Sequence, residues 1–175
     1  MKKKAINLKE ASFTQAINIS AQWCKEWGED LLSEEVLADR ISELIKTKNG
    51  LRGFFAYALS DQDCFLLDKL PYAIIFKLAE RGKEVVEIVI KNLIMSSAQI
   101  IIHERNKNIE YKQISENISD RCKGILRLLE TKLVTNTINQ VLKNLDNMGN
   151  SFDNSIKYDL EQKEFIKKQI LDIAQ

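Results

Sequence analysis

The apolar run from Val85 to Ile102 limits what this chain can fold into more than any other stretch. It contains Val85, Val86, Ile88, Val89, Ile90, Leu93, Ile94, Met95, Ile100, Ile101 and Ile102, and so many β-branched side chains would also suit a strand. Its apolar positions show no alternation of period two, however, and Glu84, Glu87 and Lys91 fall at helical spacing, giving a narrow polar strip on an apolar cylinder. The run is about three times the usual strand length, and Gly82 ahead of it suits the end of a preceding helix. A helix apolar around most of its circumference has to be covered on several sides, so the pattern predicts a buried central helix with neighbours all round it.

The same run crossing a membrane would place Glu87, Lys91, Asn92, Ser96, Ser97 and Gln99 in hydrocarbon, at about 3 kcal/mol for each ionised group. No membrane partner is expected on that ground. The small trio Ser96, Ser97 and Ala98 reads instead as a place where another helix crosses close to the backbone.

A chain of 175 residues fits one domain and can bury about 70% of its unfolded surface. One proline, six glycines and 45% apolar residues argue against disorder and against a turn-rich β fold. The expected fold is all-α: a single-domain helical bundle or irregular α-superhelix of about seven or eight helices around the central one, with no matching internal repeat. Residues 1–10 read as a flexible N-terminal segment, and 147–158, rich in Asn, Ser and Gly, as a flexible loop before the last helix.

Capping signals divide the rest of the chain. Ser12 with Gln15 three residues on has the form of a capping box, and Gly28 closes the helix that follows. Ser33 caps a second helix, with Glu34 and Glu35 in its first turn; Lys46, Lys48, Asn49 and Gly50 read as its stop. Leu51 to Leu59 reads as a short aromatic helix set into the core, Ser60 to Asp63 as a loop, and Pro71 as the start of a helix running to about Arg81. Beyond the central run, Ile114, Ile118, Cys122, Ile125 and Leu129 form an amphipathic stripe that leaves Arg121, Lys123 and Arg127 outside. Ile138, Val141, Leu142 and Leu145 mark another helix, and Asp159 with Gln162 starts the last.

The formal net charge is +1, which argues against nucleic acid as the main partner, since such proteins carry a concentrated basic face. In the second half Arg121, Lys123 and Arg127 are interrupted by Glu116, Asp120 and Glu130, so they read as a solvated patch able to meet an acidic partner. Cys24, Cys64 and Cys122 are odd in number and without metal spacing, and Met1, Lys2, Lys3 and Lys4 lead into no cleavable apolar segment. A reducing cytoplasm is the expected compartment. The abundance of Ile, Lys and Asn reads as the bias of a bacterial-type genome and carries no functional meaning.

Three sets of residues invite a chemistry. Asp61, Asp63 and Asp68 suggest calcium, but a loop begun at Asp61 would need glycine and glutamate where Leu66 and Tyr72 stand. His103, the one histidine, could serve a haem iron as a single axial ligand; with nothing else in support it reads as a helix-end residue, bonded to Gln99 one turn back. Trp23, Trp27, Phe54, Phe55 and Tyr57 are the candidate lining of a ligand pocket, though a tryptophan pair one turn apart is more often a core anchor. Ser96 lies two helical turns from His103, about 10 Å, too far for proton transfer. There is no phosphate loop and no dinucleotide fingerprint.

These readings point to no catalytic residue, no metal and no cofactor. They favour a cytoplasmic protein-interaction module, an adaptor, assembly factor or regulatory subunit, with another protein as partner and a homodimer through the Ile114 to Leu129 stripe open to it. The alternatives are a small-molecule or pigment-binding helical protein and a helical regulator associated with nucleic acid.

Overall fold

The structure is a computed structural model and describes residues 7–146 and 157–174. Among the described residues the chain is all-α, with eight α-helices and no strand. It forms two compact units, Met1–Arg81 and Gly82–Gln175.

In the first unit α1 (Phe13–Gly28) opens on the expected capping box: Ser12 Oγ accepts from the Gln15 N–H at 3.2 Å, and Gln15 Oε1 from the Ser12 N–H at 2.8 Å. Ahead of it Leu8–Glu10 forms a 3-10 turn capped by Asn7 and packed on the second helix. The expected flexible N-terminal segment is therefore structured from Asn7 onward, while 1–6 lie outside the described residues. Helix α2 (Glu34–Leu44) starts at the Ser33 cap, as the sequence requires.

The end of α2 differs from expectation. It stops at Leu44, and Lys48, Asn49 and Gly50 open α3 (Lys48–Ser60) rather than closing α2. The cause is local: Thr47 caps the new helix by accepting from the Gly50 N–H at 3.0 Å, and a Cβ at position 50 would run into the Leu44 carbonyl. Helix α3 packs on α1 and α4 (Tyr72–Arg81) packs on α2. Leu37, Ile41, Leu44, Phe54, Phe55, Leu59, Ile74 and Leu78 are fully buried.

The second unit is built on α5 (Lys83–Arg105), which contains the whole Val85 to Ile102 run. It begins at Gly82, whose φ of 43° and ψ of −103° suit glycine and no other residue. Val85, Val86, Val89, Ile90, Leu93, Ala98, Ile100 and Ile101 are buried along it, with Glu84 exposed and Glu87 and Lys91 half-buried on its polar strip. Helices α6 (Ile109–Leu128), α7 (Thr131–Asp146) and α8 (Leu160–Leu171) all pack on α5, α6 most extensively. By length and composition α5 could cross a membrane, but 61% of its most apolar window is buried, so most of the surface lipid would cover is covered by protein. Of the expected 147–158 loop, residues 147–156 lie outside the described residues.

Candidate functional site

The five aromatic candidates do not share a pocket wall. Phe54 and Phe55 are 1% and 0% exposed and meet edge to face at 5.1 Å, so these two fill the core of the first unit. Trp23 is half-buried under the Arg40 guanidinium, 5.9 Å from the ring centroid, and Arg40 is held in turn by Glu26 at 3.2 Å. That stack joins α1 to α2 and uses the ring face a ligand would need. Trp27 alone reaches an open depression of about 620 Å³, lined also by Gly28, Asp30, Leu31, Leu32, Ser33 and Glu34. Tyr57 is half-buried beside Asp61 and the Cys24 and Cys64 thiols; burial first, and then the Asp61 charge, pushes its phenol up to about 12.

The basic patch is also rearranged. The buried positions of α6 are Ser115, Ser119, Arg121, Cys122, Ile125 and Leu126, while Ile114 and Ile118 are only half-buried. Arg121, expected outside, is 7% exposed: three residues after Ile118 and seven after Ile114, it shares their side of the helix and lies beside buried Ile125. Lys123 is likewise drawn in: Asp120, Asp172 and Gln169 accept from its ammonium at 3.0, 3.1 and 3.1 Å. Burial works against its charge, but Asp120 and Asp172 outweigh burial and hold its pKa above the usual lysine value. Arg127 is the one of the three that stays exposed, and it donates to the Asp172 carbonyl at 2.7 Å. Lys123 and Arg127 thus fasten α6 to the end of α8. Of the stripe considered for a homodimer, Cys122, Ile125 and Leu129 are buried within the chain, while Ile114 and Ile118 keep part of their surface exposed.

Asp61 ends α3, and its Oδ1 accepts from the Asp63 N–H at 2.9 Å, the geometry of a turn carboxylate. Among the described residues no group of three His, Cys, Asp or Glu side chains is placed to hold a metal ion. His103 stacks on Tyr111 with ring centroids 5.6 Å apart, joining the end of α5 to the start of α6.

Sequence reasoning passed over a different feature. Tyr72 and Phe76, four residues apart on one face of α4, are 89% and 63% exposed, and Phe65, in the connection leading into α4, is 67% exposed. Ile74 and Leu78, on the opposite side, are fully buried. The signal was present in Tyr72, Ile74, Ile75, Phe76 and Leu78, but a helix apolar on both faces does not announce which face the core takes.

A family model described as uncharacterised conserved protein UCP020893 matches residues 12–173. The chain belongs to this family. The match runs from the Ser12 cap of α1 through α8, so it takes in the α-helices of both compact units and the aromatic face of α4. No curated protein and no solved structure matches the chain.

Proposed function

We propose that the protein is a cytoplasmic protein-interaction module, an adaptor, assembly factor or regulatory subunit that meets another protein through the outer face of α4. The observation that carries this reading is the exposure of Tyr72 and Phe76 on one helical face. Covering a large apolar side chain contributes about 2 kcal/mol, and aromatic side chains are the usual anchors of protein interfaces. The small-molecule and nucleic-acid readings have no comparable support: Phe54 and Phe55 are spent in the core, and Lys123 and Arg127 are engaged by the end of α8.

A photo-crosslinking residue placed at position 72 or 76 of the full chain tests this reading. In a native lysate these positions are expected to capture one discrete protein band that Lys48, exposed at the start of α3, does not capture. The band is expected to weaken at least tenfold when the other aromatic of the pair is changed to serine. Equal labelling from all three positions would overturn the proposal.

A further inference from the structure

Helix α4 turns Ile74 and Leu78 into the core of the first unit. Its opposite side is centred on Phe76, with Tyr72 one turn before and Glu80 one turn after, all three exposed. Ala73, half-buried, and Ala79, exposed, stand three residues to either side of Phe76, so the aromatic ridge has small side chains beside it.

The charges around this face differ in what already holds them. Lys77 is paired with Asp39 at 3.3 Å, and Asp68 and Arg81 have interactions of their own. Among the described residues, exposed Lys69, three residues ahead of Tyr72, and Glu80, near the end of α4, have no charged partner. Asp63 stands further back in the chain, before Phe65. The aromatic stripe thus has an unpaired cation at its start and an unpaired anion at its end.

We propose that the outer face of α4 pairs with the same face of a second copy of this chain, antiparallel about a two-fold axis. The proposal rests on the reading of this face as an interaction surface and names what occupies it. A two-fold interface has to be self-complementary, because each contact occurs twice with the partners exchanged. One register meets that condition for shape and charge together. With the axis level with residues 74 and 75, Phe76 lies over Ala73 of the second copy, a large side chain against a small one. The same axis sets Lys69 against Glu80 of the second copy and Tyr72 beside Lys77 of the second copy, ring against ammonium. Parallel pairing would instead bring Lys69 to Lys69 and Glu80 to Glu80, and would align the helix dipoles that antiparallel pairing opposes.

Sedimentation velocity on the purified full chain, from about 1 to 100 µM, is the first test, since a face of one helix gives a small interface and a weak dimer. A monomer–dimer equilibrium is expected in that range. Glu80→Lys and Lys69→Glu, both at exposed positions, should each weaken it about tenfold, and the variant carrying both should recover it, because the exchange rebuilds each pair with its signs reversed. A photo-crosslinking residue at position 76, in a mixture of light and isotope-labelled chains, should link one chain to the segment around Ala73 of the other. A monomer throughout the range, a dimer indifferent to Glu80→Lys, or loss in both single variants without recovery in the double would each overturn the proposal. If the purified chain stays monomeric while position 76 captures a different protein from lysate, self-pairing fails and the interaction face stands; capture of nothing in either setting removes both.

Discussion

At the residue scale, Gly53 marks a close approach between two helices of the first unit. A Cβ there would overlap the Ala16 Cβ and reach Ile17 N and Phe13 O at 3.0 Å, so α3 approaches the backbone of α1 where only glycine fits. Gly53→Ala improves helix propensity, yet it is expected to destabilise the fold by about 1–3 kcal/mol, because the cost of overpacking exceeds the gain. Chemical denaturation checks this as a lower midpoint with an unchanged slope. Gly28 makes the contrast, since a Cβ there has nothing within 4 Å and meets no steric objection.

At the element scale, α6 and α8 supply two predictions. Ser115 and Ser119 lie on the buried face of α6, at 6% and 2% exposure. Ser119→Leu should therefore cost about 1–3 kcal/mol, although leucine is the better helix former, and thermal unfolding reads it as a lower Tm. Helix α8 is fastened at its start by the Arg105 guanidinium, which donates to Asp159 at 2.6 Å and also pairs with Glu161, and near its end by Lys123 on Asp172. Arg105 holds the Asp159 carboxyl below the usual range, and Lys123 does the same for Asp172. A carboxyl whose folded pKa is depressed contributes stability in full above its unfolded pKa and loses it as pH falls through the folded value. Stability should accordingly decline below about pH 4, and Arg105→Gln should flatten that part of a denaturation series run across pH.

At the scale of the molecule, the two compact units each have a buried core, and each exceeds the roughly 60 residues at which a domain can fold alone. Chains cut between Arg81 and Gly82 are expected to give two helical halves, each unfolding cooperatively by circular dichroism. A half without a transition would show that its core depends on the other.

The sequence by itself determined the helical class, the buried Val85 to Ile102 helix and the helix starts at Ser12, Ser33 and Asp159, each with its side-chain cap in place. These are legible because a cap or a period is settled by residues three or four apart. Tertiary structure decided what neighbours settle. Lys48 to Gly50 begin a helix under the Thr47 cap, a local signal masked by their likeness to a helix stop, and the Leu44 carbonyl lies where a Cβ at position 50 would be. Arg121 is buried although Ile114 and Ile118 on its own side of α6 are only half-covered, so cover along that side is set by what packs there and not by the apolar pattern. Tyr72 and Phe76 stay outside while Ile74 and Leu78 go in because of what packs on α4, which meets α2. Periodicity tells how wide an apolar face is; which part of it is covered depends on what packs against it.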